Sequence, residues 1–233
     1  MTLTVGQQGQ IKRQLAAHQH ARYETDIELD TGEFLENFIV YPYVLRPETV
    51  AAGHLARWLK QHPELYQDKV ALDMGSGSGI QGVVMGSYGA SWVVFSDVYP
   101  PAVANTRANV LRFDLAEKAK VFWGDLFEKI ESQFDLIVFN HPFFADDPRE
   151  NEPVSGAMLD SGELLQRFLR EAQNYLQPGG LIVMPFWHFA GATNDPAKYV
   201  DQYGLEIAGQ DIFDLDTELH QGPMSVYQLQ YES

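Results

Sequence analysis

Short apolar runs, separated by stretches with helical spacing, set the rhythm of this chain. Val70–Met74 (VALDM), Ser91–Ser96 (SWVVFS), Phe134–Phe139 (FDLIVF) and Leu181–Phe186 (LIVMPF) are almost unbroken apolar segments. Such runs predict short strands buried on both faces, as in a parallel sheet. Lys120–Trp123 predicts one more. Helical spacing fills the intervals: Ile80 to Tyr88, Pro100 to Arg112, and Gly162 to Leu176. The last carries Leu164, Leu165, Phe168, Leu169 and Ala172 on one side and is stopped by Gln177-Pro178-Gly179-Gly180. Strand and helix in alternation predict an α/β protein with a doubly wound, mostly parallel sheet.

The ends of the chain follow other patterns. From about Gln7 to Tyr23, Ile11, Leu15 and His18 fall on one helical face. Tyr23–Leu29 alternates as a strand does, Thr31-Gly32-Glu33 signals a turn, and Phe38–Tyr41 returns. Residues 1–45 therefore read as a helix-and-hairpin cover, and residues 46–233 as the main domain. The cover serves as a lid over the ligand side or as plain cover for the sheet. Pro47 starts a helix that runs to about Gln61. Leu205–Phe213 and Met224–Gln230 predict a terminal hairpin with a long loop between its strands. The acidic stretch from Ala145 to Asp160, with two prolines, predicts a loop over the site.

Composition narrows the function. The 233 residues, 45% apolar, suit one α/β domain with a small extension. A net charge of −16 argues against a broad nucleic-acid surface and leaves small-molecule and protein substrates in front. The chain has no cysteine, which excludes disulfides, thiolate metal sites and thiol nucleophiles. The N-terminus lacks a signal-type apolar core and no run matches a membrane span, so a cytoplasmic protein without a membrane partner is expected. His18 and His20 would need acidic or histidine partners to ligate a metal. A solvated helix face is the expected setting, with no metal site.

Candidate chemistry gathers behind the VALDM strand. It leads into Asp73-x-Gly75-x-Gly77-x-Gly79, a strand, a glycine turn and a helix start. Glycines let the backbone bend sharply and approach a ligand. A dinucleotide site needs G-x-G-x-x-G facing pyrophosphate. Here the spacing differs and an acid stands in the turn, where it would repel phosphate and attract an ammonium. The segment resembles motif I of the class I S-adenosylmethionine-dependent methyltransferases, whose ligand has an amino-acid end and no phosphate.

That resemblance extends over roughly residues 44–231 and implies a seven-stranded, Rossmann-like sheet with an antiparallel end. It implies S-adenosylmethionine as cofactor, with Asp73, Gly75, Gly77 and Gly79 at its amino-acid end. Asp97, about twenty residues past the glycines, would hold the ribose. Asp125 and the Leu126 N–H would meet the adenine, the alternative being that Asp125 caps the next turn. The FDLIVF strand delivers Asn140-His141-Pro142-Phe143. This resembles the Asn-Pro-Pro-Phe/Tyr motif of methyltransferases acting on planar amino groups, glutamine amides and adenine N6. In that family the asparagine oxygen and the next backbone carbonyl accept the hydrogens of the acceptor, and the aromatic ring stacks on it. Here His141 replaces a proline, which places a titratable ring where it could take a proton from an amine or hydroxyl. Pro142 keeps His141 extended.

Arg46-Pro47-Glu48-Thr49 resembles a segment of the release-factor glutamine methyltransferases, with Leu45 where that family has proline. The alternative is an ordinary helix cap. Trp187 and His188 line the pocket or belong to core and loop. The expected function is methyl transfer to nitrogen or oxygen: a protein glutamine, a small amine or, less in keeping with the charge, an adenine N6 of RNA. Two alternatives are use of the aminocarboxypropyl arm with release of methylthioadenosine, and a non-catalytic binding module. The oligomeric state is not legible.

Overall fold

The computed structural model describes residues 3–232. Its core is a seven-stranded sheet built from β3 (Val70–Met74), β4 (Trp92–Asp97), β5 (Ala119–Trp123), β6 (Phe134–Phe139), β7 (Leu176–Trp187), β8 (Leu205–Asp216) and β9 (Gln221–Tyr231). The spatial order is β5-β4-β3-β6-β7-β9-β8; β9 runs antiparallel to both β7 and β8, and the other pairs are parallel. From β3 the chain winds outward to β5, then returns to β6 on the other side of β3. That reversal leaves a crevice at the carboxyl ends of β3, β4 and β6, where open α/β sheets bind ligands.

Apolar side chains make these segments strands. β3 and β6 are buried on both faces through Ala71, Leu72, Leu136, Ile137 and Val138. Helix α3 (Ile80–Ser87) follows β3, and a Cβ on its Gly82 would come within 2.1 Å of the Phe95 ring. Only glycine lets this helix lie so close to β4. Helix α4 (Pro100–Arg112) follows β4, and α5 (Glu163–Ala172) precedes β7.

The cover consists of α1 (Val5–Ala17) and a separate antiparallel hairpin, β1 (Tyr23–Asp30) with β2 (Glu33–Val40). Its Ile11, Leu15, Ile27 and Phe38 share one hydrophobic core with the main sheet. The hairpin is tied down by polar groups. Asn105 and Asn109, four apart on α4, face the β2 backbone. Asn109 Oδ1 accepts from the Ile39 N–H at 2.9 Å, and its Nδ2 donates to the carbonyls of Ile39 and Ser78, each at 2.8 Å. Asn105 Oδ1 accepts from the Tyr41 N–H at 2.7 Å. These amides replace the strand partner that β2 lacks.

Three expectations are corrected. The first helix ends at Ala17, and His18 is fully buried rather than on a solvated face. Its Nδ1 accepts from the Arg46 N–H at 3.1 Å, so a backbone donor draws it inward. The 177–180 stretch does not precede β7 but lies inside it as a bulge. Phe134 pairs with Leu176 and Leu136 with Leu181, so extra β7 residues loop out between them. The terminal hairpin has a short connection, because pairing runs on to Asp216 and Gln221. Thr217 closes that turn, accepting at its Oγ1 from the His220 N–H at 2.9 Å.

Asn109→Ala strips partners from buried backbone groups of Ile39 and Ser78. Chemical denaturation should show a loss of at least about 2 kcal/mol. A loss below about 0.5 kcal/mol, typical of a surface change, would contradict this account of how the hairpin is held.

Candidate active site

A cavity of about 300 Å³ opens at the carboxyl ends of β3, β4 and β6. Its floor is the turn after β3, in which Gly75, Gly77 and Gly79 all have left-handed φ, at +60°, +56° and +84°. Gly77 lines the cavity, and a Cβ there would meet nothing closer than the Gly75 oxygen at 4.0 Å, so the turn is open at this point. Thr106 of α4 donates to the Gly77 carbonyl at 3.1 Å and holds the turn from behind. Gly79 does not line the cavity; it begins α3.

Asp97, at the tip of β4, locks the turn. Its Oδ2 accepts from the Gly77 N–H and its Oδ1 from the Tyr99 N–H, both at 2.8 Å. Burial raises its pKa, and these backbone donors work against that rise. A carboxylate has about four acceptor sites, so capacity remains beyond these bonds, and the residue forms part of the cavity wall. Further along lie Val98, Tyr99, Ala102, Gly124, Asp125 and Leu126. Leu126 has φ +47°, a strained setting for leucine, and its carbonyl accepts from Ser96 Oγ at 3.1 Å. Asp125 lines the cavity and accepts from Arg167 Nη2 at 2.7 Å. Tyr43, Val44 and Leu45, which close the cover, and Pro153, Val154, Gly156 and Ala157 from the acidic loop complete the walls.

Asp73 is placed differently from the expectation. It is 2% exposed and absent from the cavity wall, and its Oδ2 accepts from the Gly82 N–H at 2.9 Å. Desolvation pushes its pKa well above the usual carboxylate range. Side chains alternate along a strand, so Met74 reaches the cavity and Asp73 braces α3 from below. Its side chain does not reach the cavity wall.

Asn140 and Pro142 line the cavity, whereas His141 and Phe143 do not. They wall a second cavity of about 20 Å³, with Asn140 common to both and with Gln14, Leu45 and His220. That space holds about one water or one small group. His141 Nε2 donates to the Asn194 carbonyl at 2.8 Å, and its Nδ1 has no partner among the described residues. Burial lowers its pKa to about 4, so the ring is neutral. Enclosed by Phe143 and Phe186, it is not the accessible proton acceptor that the motif suggested. Trp187 is buried in the core, at 2% exposure, and His188 hydrogen-bonds Ser225 Oγ. His220, from the terminal turn, accepts at Nδ1 from the Ala51 N–H at 3.1 Å and so caps the next helix, α2 (Ala51–Gln61). Gln14 and His220 had no local signal in the sequence, because they meet across 206 positions. Arg46 pairs with Glu48 at 3.3 Å, outside the main cavity wall.

The methyltransferase small domain family model matches residues 50–194. The chain belongs to this family. It is 30% identical over 145 residues to a Methanocaldococcus jannaschii protein provisionally named a protein N5-glutamine methyltransferase, over 53% of this chain and 73% of that one. It is 27% identical over 216 residues to the ribosomal protein uL3 glutamine methyltransferase of Neisseria meningitidis, over 87% and 70% of the two chains. Among solved structures, the Thermus thermophilus 16S rRNA N2 G1207 methyltransferase, in complex with AdoMet and guanosine, aligns with a TM-score of 0.65 at 20% identity. It covers 91% of this chain and 51% of its own. The methyltransferase small domain chain described here is thus an S-adenosylmethionine-dependent methyltransferase with a class I fold. Among the described residues, no helix is long and apolar enough to cross a membrane.

The residues fit the cofactor. The open glycine turn leaves room for its amino-acid end, Asp97 has spare acceptor capacity for a diol, and Asp125 and Leu126 stand at the far end.

Three buried imidazoles set a pH dependence. Desolvation lowers His18 and His220 to about 3 and His141 to about 4, against 6.5 in the unfolded chain. Between about pH 6.5 and 4 the unfolded chain binds protons at these rings that the folded chain does not, so stability falls as pH falls. Asp73 acts in the opposite sense, since its raised pKa lets the folded chain bind a proton first. His220→Phe should flatten the stability slope in this window by up to about 1.4 kcal/mol per pH unit, read from urea melts. An unchanged slope would show that His220 does not stay neutral in the fold.

Proposed function

We propose that the acceptor is the side-chain amide of a glutamine in a protein. The observation that carries this is Asn140. Its side chain stands at the carboxyl end of β6, in the wall of both cavities, with no hydrogen bond to a described residue. An amide nitrogen is a poor nucleophile because its lone pair is delocalised. The Asn140 oxygen and the His141 backbone carbonyl accept its two hydrogens, hold it in line and raise its electron density. The glutamine methyltransferase names of the two relatives support the same acceptor. The net charge of −16 weighs against RNA.

The cofactor, when bound, supplies a methyl group already activated by a positive sulfur. The chain then has little acid–base work to do. Gly75, Ser76, Gly77 and Ser78 cradle the amino-acid end, Asp97 accepts from the ribose hydroxyls, and Asp125 with Leu126 meets the adenine. Gly79 and Asp73 act from behind by fixing the turn on α3. Phe143 and the neutral His141 ring shape the acceptor side. Residues 43–45 and 153–157 close over the reacting groups and exclude water.

Methyl-labelled S-adenosylmethionine incubated with this chain and a cell extract should yield N5-methylglutamine in protein and S-adenosylhomocysteine. Label in RNA, or methylthioadenosine as product, would overturn the reading. Asp97→Ala should weaken S-adenosylhomocysteine binding by about 1–3 kcal/mol in calorimetry; an unchanged affinity would remove the ribose assignment. Asn140→Ala should lower kcat by about a hundredfold or more while that binding stays within a few-fold. A loss confined to KM would contradict a role in aligning the acceptor.

A further inference from the structure

The acid at the adenine end has a partner with no local signal in the sequence. Asp160 accepts from the Leu164 and Leu165 N–H groups at 3.0 and 3.1 Å, which anchors the first turn of α5. Phe168 then packs on Phe127 and Phe139, with ring centroids 5.7 and 4.6 Å apart. Phe127 lies two residues from Asp125, so this packing sets the register of α5 against the 124–127 turn. Arg167 is thereby held beside Asp125, and its Nη2 donates to Asp125 Oδ2 at 2.7 Å. Asp125 lines the cavity and Arg167 does not.

We propose that Arg167 is a positioning residue that orients Asp125 for the exocyclic amino group of the cofactor's base. The inference rests on the proposed place of Asp125 at the adenine. With Oδ2 taken by the guanidinium, Oδ1 is left as the acceptor that Asp125 offers to the base. A carboxylate held in this state accepts from an amino group and repels a carbonyl oxygen. Arg167 therefore tunes selection of adenine over hypoxanthine without touching either. A surface ion pair alone contributes little to stability, and the side chains of Arg167 and Asp125 are 34% and 44% exposed, so the effect belongs to binding.

The test is calorimetric titration of the full chain with S-adenosylhomocysteine and with its inosine counterpart. Arg167→Met should weaken the adenosyl ligand about tenfold and narrow the ratio between the two ligands, with the melting temperature nearly unchanged. Arg167→Lys should restore part of both. In an Asp125→Asn background, Arg167→Met should add little, because the two residues act as one unit. Wild-type affinity in Arg167→Met, losses that multiply in the double variant, or a fall in melting temperature with the ligand ratio intact would each overturn the proposal. If Asp125→Asn binds both ligands as the wild type does, the adenine assignment itself fails; if Asp125→Asn is impaired and Arg167→Met is not, only the positioning role fails.

Discussion

One carboxylate holds the ligand end of the sheet together. Asp97 joins the turn after β3 to the tip of β4, taking the Gly77 and Tyr99 N–H groups on its two oxygens. Three left-handed residues in five make that turn an improbable shape for a free chain. It persists because Asp97 holds it from one side, and Thr106 and Asn109 from the other. The carboxylate is costly to bury, and the two backbone donors offset part of that cost. The same residue forms part of the cavity wall. Structure and ligand capacity are properties of a single group.

Polar groups buried elsewhere do related work. Asn105 and Asn109 give β2 the hydrogen bonds a neighbouring strand would supply, and Asn109 also reaches the glycine turn at Ser78. The cover is thus coupled to the glycine turn of the main cavity through one helix. At the small cavity, His220 caps α2 through the Ala51 N–H and forms part of the wall with Gln14 and His141. The imidazoles here are structural acceptors and donors rather than proton carriers. This suits a transfer whose donor is already activated, in which alignment supplies most of the rate.

The central sheet was legible in the sequence, because fully buried parallel strands leave unbroken apolar runs such as VALDM and FDLIVF. Asp97, Asp125 and Asn140 stand at or just past the ends of predicted strands, and all three line the cavity. Asp73 was misread because a motif gives spacing but not the face of the strand; alternation turns it away. His141 was misread because nothing local reveals that Asn194, Phe143 and Phe186 enclose it. His18 escaped for the same reason, as its partner Arg46 lies 28 positions on. Arg167, Gln14 and His220 are invisible to periodicity, since tertiary packing alone brings them to the site.

The central claim is that acids and a glycine turn at the tips of β3, β4 and β5 seat a sulfonium nucleoside with its reacting carbon facing Asn140. A crystal grown with S-adenosylhomocysteine tests it most directly. The account expects the ribose hydroxyls on Asp97, the adenine between Asp125 and Leu126, and the sulfur directed at Asn140. Density for the ligand in another orientation, or a crevice that stays empty at saturating ligand, would contradict it.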